Sequence, residues 1–430
     1  MSGNLNVGIA GLGTVGGGVV KILSDAASLL EERCGSKITL KAVATRDRSK
    51  VRDFDVDGSV KWYDNALDLC GDSEIDVVVE SIGGSEGVAL ELCEKSLKAG
   101  KHFITANKAL VATHGKRLAK IAEEKNVVFA FEAAVAGGIP IIKALKEGLA
   151  GNYITHVAGI MNGTCNYILT EMQETGRDFA DVLKEAQGLG YAEADPSFDV
   201  DGIDTAHKLA ILTSIAFGVQ VNFKAVYIEG IREVSVLDVK YAHELGYKIK
   251  LLGITEKNEN GVRQSVYPCL VSLAHSLAKV DGVNNAVFVE GSYVGKVMLE
   301  GPGAGRDATA SAVVADIADI ASRRISYPFG IKTSSLEESK PISIEKREGE
   351  YYIRIVAHDE AGVLAGISDI LKSKKISIES IVQKPVKKGA DASIVVITHV
   401  CSEMDIRKAV EKILKIKGVV GTPMVLRIES

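Results

Sequence analysis

The densest group of chemically capable side chains lies between residues 193 and 208. Glu193-Ala194-Asp195-Pro196-Ser197-Phe198-Asp199-Val200-Asp201-Gly202-Ile203-Asp204 runs straight into Thr205-Ala206-His207-Lys208. The acids are crowded as in a calcium loop, but their spacing and the central proline do not fit an EF-hand. Asp204 and Lys208 stand four residues apart, on one face of a helix. On a surface such a pair is a solvated salt bridge of small energy. The following residues, LAILTSIAF (209–217), are apolar nearly all round, which points to a buried helix. A lysine entering a buried helix acquires a shifted pKa and can give or withhold a proton. Spacing alone leaves a catalytic and a structural pair both open. His207 falls on the other side of this helix and reads as structural. A second lysine, Lys108 in Thr105-Ala106-Asn107-Lys108, follows a short apolar run. That puts it at the carboxyl end of a strand, where open α/β sheets bind ligands; the alternative is an ordinary surface lysine.

A different chemistry is carried by glycine. Gly11-Leu12-Gly13-Thr14-Val15-Gly16 follows the run LNVGIA and opens a helical pattern through Val19, Val20, Ile22 and Leu23. Glycines so placed let the backbone turn tightly against a pyrophosphate resting on a helix N-terminus. Methyltransferases have similar loops, so the motif does not fix the cofactor class. A second strand, Ile38–Ala44, ends in Thr45-Arg46-Asp47-Arg48. An acid here would hold the 2′-hydroxyl of NAD, whereas flanking bases such as Arg46 favour the 2′-phosphate of NADP. A solvated charged loop reads the same way, so both cofactors stay open.

The elements that must position these residues follow from patterning. Ile75–Glu80 (IDVVVE) is a continuous apolar run suited to a strand buried on both faces. Helix Val88–Ala99, strand His102–Ala106, helix His114–Glu124 and strand Val127–Glu132 come next. This alternation predicts a parallel, doubly wound α/β sheet over residues 1–135. From Ala136 the pattern changes: Gly137-Gly138-Ile139-Pro140, a helix Ile141–Ala150, a strand Thr155–Ile160, then antiparallel strands at 266–273 and 285–299. Gly301-Pro302-Gly303-Ala304-Gly305 precedes a helix, Asp307–Ser322. Polar SSLEESKP (334–341) reads as a linker. Beyond it, 351–357, 363–373, 376–383, 392–400, 405–415 and 419–428 give the β-α-β-β-α-β order of a ferredoxin-like domain.

Composition limits the function classes. A chain of 430 residues needs two or three cores. Its net charge of −5, with signs intermixed, and its single Trp offer nothing for nucleic acid or a membrane surface. No apolar stretch approaches a transmembrane length, and the N-terminus lacks a signal-peptide pattern. Cys34, Cys70, Cys93, Cys165, Cys269 and Cys401 are scattered without a C-x-x-C, as expected for reduced thiols in the cytoplasm.

Six segments occur in order: VGIAGLGTVGGGVV, TANKALVA, FEAAVAGGIPII, GIMNGTCNYIL, GLGYAEADPSFDVDGIDTAHKLAIL and GPGAGRDATASAVVADI. Together they resemble homoserine dehydrogenase, in the single-function bacterial and archaeal form, over about 1–330. The tail, with Asp359-x-x-Gly362-Val363-Leu364 and Ile376-Ser377-Ile378, resembles an ACT domain.

The resemblance implies a Rossmann-type NAD(P)-binding domain at 1–135 with a return helix at about 303–325. It further implies an α+β substrate and dimerisation domain at 136–302, a linker at 326–349 and an ACT regulatory domain at 350–430. The implied reaction is reversible reduction of L-aspartate 4-semialdehyde to L-homoserine, in threonine, methionine and isoleucine biosynthesis. By position, the family assigns Lys208 as proton donor and places Lys108 near nicotinamide and substrate. Glu193 and Asp204 match acids that hold the substrate ammonium, and Asp199 matches a further acid near the site. Gly190 and Gly303 match backbone contacts to the cofactor. Glu132, Val135, Gly137 and Ile139 match a monovalent cation (Na+) site made largely of backbone oxygens. Two lysines in one site are expected to lower each other's pKa. An amino-acid effector, threonine by expectation, and a homodimer or homotetramer complete the picture. The competing readings are another ACT-bearing NAD(P) dehydrogenase and a non-enzymatic nucleotide and amino-acid sensor.

Overall fold

The computed structural model describes residues 3–384 and 391–429; residues 1, 2, 385–390 and 430 lie outside the described residues. Alternating apolar runs and helices at the start of the chain give a six-stranded sheet. Its order is Lys61–Tyr63, Lys37–Ala44, Asn4–Ala10, Val77–Glu80, His102–Thr105, Phe129–Ala130. Every pairing in it is parallel. Val77, Val78 and Val79 are fully buried, as a strand covered on both faces requires. The helix Arg306–Ala321 returns to pack on the first helix, Thr14–Asp25. Gly18 permits that close approach, since a Cβ there would sit 2.8 Å from the Ala310 methyl.

The strand expected at Val127–Glu132 is shorter than its apolar run. Only Phe129–Ala130 pairs, and Glu132–Ala134 forms a 3-10 turn. There the Glu132 N–H turns away from the sheet to donate to the Asp316 carboxylate (3.0 Å). The helix expected at Ile141–Ala150 is one α turn, Ile141–Lys143, widening into a π turn, Ala144–Gly148.

The second sheet has ten strands and runs through both remaining parts of the chain. Its order is Gly295–Pro302, Asn284–Gly291, Ile154–Ile160, Tyr247–Asn258, Gly261–Ser272, Val419–Glu429, Tyr351–His358, Asp391–Thr398, Ile378–Gln383, with Tyr227–Ile228 beside Gly261–Ser272. Tyr247–Asn258, absent from the sequence reading, is a central strand. The helices Val363–Ser373 and Glu403–Ile413 alternate with the tail strands in the expected β-α-β-β-α-β order. The last tail strand, Val419–Glu429, pairs parallel with Gly261–Ser272, from Cys269 against Arg427 to Val271 against Glu429. The strands between residues 154 and 302 and those of the tail therefore share one sheet.

Side chains reinforce that junction. Arg427, 3% exposed, contacts Glu403 (2.6 Å) and Glu229 (2.8 Å). Arg354 on Tyr351–His358 pairs with the buried Asp238 (2.6 Å), which also accepts from the Tyr352 hydroxyl (3.0 Å). The span 326–349, expected to be a linker, is instead a strap held to the body. Phe329, Leu336 and Ile344 are buried, and bridges join Val219 to Glu337 and Val262 to Pro341. Single apolar anchors spaced through polar sequence do not show as a patterned element, which is why composition alone reads as a linker.

Removing one partner of a buried ion cluster strands the others. Arg427→Met is expected to lower unfolding stability by about 3–5 kcal/mol, read as a reduced urea midpoint. A wild-type midpoint would refute the cluster as the fastening of the tail.

Candidate active site

Asp204 is the second residue of the helix Ile203–Phe217, entered through Gly202 in a left-handed conformation (φ 84°). The helix is buried on nearly all sides, so both members of the 204/208 pair are dry: side-chain exposure is 3% and 10%. Asp204 Oδ2 accepts from Lys208 Nζ at 2.7 Å and from Asn162 Nδ2 at 2.9 Å. Asp204 Oδ1 pairs with Lys108 Nζ at 2.8 Å. Lys208 Nζ donates again to the Met161 carbonyl (2.6 Å). Lys108 Nζ also stands 5.4 Å from the centre of the Phe198 ring.

Asn162 ties the knot together. It caps the helix Gly163–Thr175, its Oδ1 accepting from the Cys165 N–H (2.8 Å), while its Nδ2 also donates to Asp199 (2.7 Å). Lys108 is placed from the other side, as the first residue of the helix Lys108–Lys125. The helix cap, Asn107, donates to the Gly84 carbonyl (2.6 Å). Glu80, ending its strand fully buried, accepts from Thr105 and from the Ile82 and Gly83 N–H groups (2.6 and 2.8 Å). Sequence reasoning missed Glu80, Thr105, Asn107 and Asn162. The available signal was a lone polar residue ending an apolar run, as in IDVVVE.

Electrostatics separate the two lysines. Burial pushes the Lys208 ammonium below its usual 10.5; Asp204 opposes this and the charge of Lys108 adds to it. Burial also acts to lower Lys108, but Asp204, Asp199 and Glu193 outweigh it and hold that ammonium above 10.5. The expected lowering thus holds for Lys208 and not for Lys108, because Lys208 is the more deeply buried, and Lys108 also feels Glu193. Burial would raise Asp204, yet the two lysines hold it well below the carboxylate range. Asp199 is raised by burial and by the charge of Asp204.

The expected substrate acids do not stand alike. Asp204 Oδ2 is taken up by Lys208 and Asn162 and Oδ1 is paired with Lys108, so Asp204 serves as counter-ion of both lysines. Asp199 is half-buried beside it, and Glu193 is exposed on the adjoining loop together with Gly190 (φ 77°). His207 is stacked between Phe198 and Phe223, at 5.6 and 4.1 Å between ring centres, which fits a structural role.

The glycine loop lies at the carboxyl end of the central strand. Gly11 has φ 93°, and a Cβ on Gly16 would lie 1.9 Å from the Gly11 carbonyl oxygen. The helix after it begins at Thr14 with no side-chain cap, and Gly13 faces open space. Its first-turn N–H groups, through Val15 and Gly16, are therefore available to an anion. Leu12, Gly13 and Thr14 line a cleft of about 520 Å³ closed on the other side by Lys50, Arg52 and Arg306. Arg46 is exposed and does not line this cleft. The loop turns after Asp47, where Arg52 donates to the Asp47 carbonyl (2.7 Å), and so presents Lys50 and Arg52 instead.

Glu132, Val135, Gly137 and Ile139 bracket a tight loop in which Ala136 and Gly137 are both left-handed (φ 57° and 50°). Val135 and Gly137 are buried, and their carbonyl oxygens accept no hydrogen bond among the described residues. Such carbonyls are rare without a partner and suit a hard monovalent cation. The loop touches Gly303: a Cβ on Gly137 would lie 2.5 Å from the Gly303 carbonyl oxygen. The Glu132 carboxyl points elsewhere, accepting from the Ile142 and Lys143 N–H groups (2.9 and 2.8 Å). Burial and Asp316 push it up to about 8. Among the described residues no group of three or more His, Cys, Asp or Glu could hold a metal, so a cation here would rest on backbone oxygens.

Because the Gly16 contact is with backbone, it cannot be relieved by a rotamer change. Gly16→Ala is expected to weaken dinucleotide binding by at least about tenfold, measured by nucleotide fluorescence titration. Wild-type affinity in that variant would remove the loop from the binding site.

The family described as homoserine dehydrogenase matches residues 140–318, and its NAD-binding domain matches 11–132. The ACT domain matches 351–418. Homoserine dehydrogenase of Neisseria gonorrhoeae is 44% identical, with 99% of each chain covered. That of Pseudomonas aeruginosa is 45% identical over the same shares. The crystal structure of a homoserine dehydrogenase from Thiobacillus denitrificans superposes with a TM-score of 0.94 at 44% identity, covering 100% of this chain and 99% of that one. A hyperthermophilic archaeal homoserine dehydrogenase in complex with NADPH superposes at 0.64 with 28% identity, covering 76% and 99%. With the NAD-binding part, the homoserine dehydrogenase part and the ACT domain each matched along the chain, and full-length relatives at 44–45% identity, the chain belongs to the homoserine dehydrogenase family of NAD(P)-dependent oxidoreductases, in the form that carries an ACT domain.

Proposed function

We propose that Lys208 donates the proton to the aldehyde oxygen as L-aspartate 4-semialdehyde is reduced to L-homoserine, and recovers it in the reverse direction. The observation that carries this reading is a buried ammonium with a lowered pKa, 2.7 Å from Asp204 and facing the dinucleotide sheet through Lys108. The bound NAD(P)H supplies the hydride. As alkoxide charge develops, Lys208 is the cation able to neutralise it by giving up a proton. Lys108, held more firmly charged, stabilises the same oxygen without losing its own. Asp204 keeps both ammonium groups in a dry site and fixes their separation. Asp199 and Glu193 are the acids left to hold the substrate ammonium, and Gly190 lies on the loop that brings Glu193 in.

Lys50 and Arg52 beside Thr14 favour a 2′-phosphate, so NADP(H) is the preferred cofactor; the archaeal relative in complex with NADPH supports this. Gly303, in contact with the 137 loop, offers backbone to its nicotinamide end. The carbonyls of Glu132, Val135, Gly137 and Ile139 would hold Na+, whose charge would order the joint between the two sheets. The tail would bind an amino acid, threonine as the end product, near the turn at Gly362. The working form is a homodimer or homotetramer in the cytoplasm; among the described residues no helix is long and apolar enough to cross a membrane.

Lys208→Ala is expected to abolish turnover while leaving NADPH binding nearly intact; near-normal kcat would sink the assignment. The sign of the pH dependence follows from the lowered pKa of Lys208. Reduction needs the ammonium and falls as pH rises through that pKa, below 10.5. Oxidation of homoserine needs the neutral amine and rises over the same interval. Paired kcat/KM profiles in the two directions check this, and limbs running the same way would contradict it.

A further inference from the structure

Asn285, on the strand Asn284–Gly291, is 1% exposed, yet neither its Oδ1 nor its Nδ2 has a hydrogen-bond partner among the described residues. Leaving a whole carboxamide unpaired in the interior is costly, and an apolar residue of equal size would avoid that cost. The surroundings are otherwise well satisfied. Nearby Asn166, also buried, donates to the Val280 and Asn284 carbonyls (3.1 and 3.2 Å) and accepts from Lys250 (3.0 Å).

The position of this amide is informative. It lies flat against Gly303, where a Cβ would fall 2.0 Å from the amide carbon. A Cβ on Gly163 would come 3.5 Å from its Oδ1. Gly163 opens the helix capped by Asn162, which holds Asp199 and Asp204. Gly303 leads through Gly305 into the helix Arg306–Ala321, which begins without a side-chain cap and whose Arg306 lines the dinucleotide cleft. One carboxamide thus stands between the start of a catalytic helix and the glycine segment of the cofactor side, with one acceptor and two donor hydrogens unused.

We propose that Asn285 is a positioning residue for the dinucleotide: in the NAD(P)H-bound protein its carboxamide pairs with the backbone of the 303–305 segment. An amide suits this because a peptide group also offers one donor and one acceptor. That pairing fixes the cofactor-side backbone against Gly163, and so against the helix that orients Asn162. On this reading the amide adds nothing to the stability of the protein without nucleotide. An amide kept for the fold stabilises the free protein; an amide kept for the cofactor does not.

The test compares wild type, Asn285→Leu and Asn285→Ala by melting temperature without nucleotide and by fluorescence titration with NADPH. Asn285→Leu, near in volume, is expected to melt no lower than wild type. Its Kd for NADPH rises by about tenfold or more, the loss of one or two hydrogen bonds. The rise in melting temperature that NADPH produces shrinks in step. A wild-type Kd in Asn285→Leu overturns the proposal, and so does a lowered melting temperature of that variant without nucleotide. If leucine prevents folding, Asn285→Ala decides by Kd alone, a rise supporting the role and wild-type affinity refuting it. The reading rests on NAD(P)H binding to this chain, and wild type tests that separately: failure of wild type to bind NADPH overturns the cofactor assignment, whereas a variant indistinguishable from a binding wild type overturns only the role of Asn285.

Discussion

Asp204 is a carboxylate almost wholly removed from water, shared between two ammonium groups and an asparagine amide. A buried carboxylate without those cations would be strongly unfavourable, and so would either lysine without the carboxylate. The three charges therefore have to arrive together, and the architecture can be understood from what brings each one. Lys208 comes with Asp204 on a helix that is apolar nearly all round, so that the pair enters the interior as a unit. Lys108 comes from the parallel sheet, on a helix whose start is tied through Asn107, Thr105 and Glu80. The ion pair between Lys108 and Asp204 is thus a bond between the nucleotide side and the substrate side of the molecule. Its chemistry and its role as a fastener are the same interaction.

What the sequence revealed was local in origin. The spacing of Asp204 and Lys208, the glycine turn at 11–16 and the β-α-β-β-α-β order of the tail all depend on residues a few positions apart. What it hid depended on distance or on polarity in an unusual place. The strand Tyr247–Asn258 is buried on both faces from Ile249 to Thr255, yet its sequence sets Lys248 and Lys250 among its apolar residues, so nothing in it reads as a fully buried strand. Lys250 is 1% exposed, held by Asn166, the Val280 carbonyl and Asp281. Asn162 could not be weighed because its partners lie 37 and 42 residues away. Arg46 was a reasonable choice among several cations in one loop, but the path of the backbone after Asp47 decides which of them face the cleft.

Acid side chains show the same limit. By family position, Glu193 and Asp204 are expected to hold an ammonium group, with Asp199 as a further acid near the site. Their surroundings make them different: Asp204 is buried between two lysines, Asp199 is half-buried with a raised pKa, and Glu193 is exposed on a loop. Glycine behaves likewise. Gly16 and Gly303 are required by neighbours rather than by their own backbone angles, one facing a carbonyl and the other a carboxamide. Neither constraint is visible in the spacing of the glycines.

The pairing of Val419–Glu429 with Gly261–Ser272 has an effect on the behaviour of the molecule as a whole. Three backbone residue pairs, Cys269 to Val271 against Arg427 to Glu429, couple the tail to the rest of the sheet, so its opening is tied to that of the strand it pairs with. Release of the tail would uncover N–H and C=O groups over Cys269–Val271, a short edge open to another chain. The tail thereby also covers a short sheet edge, a duty that would be independent of any effector.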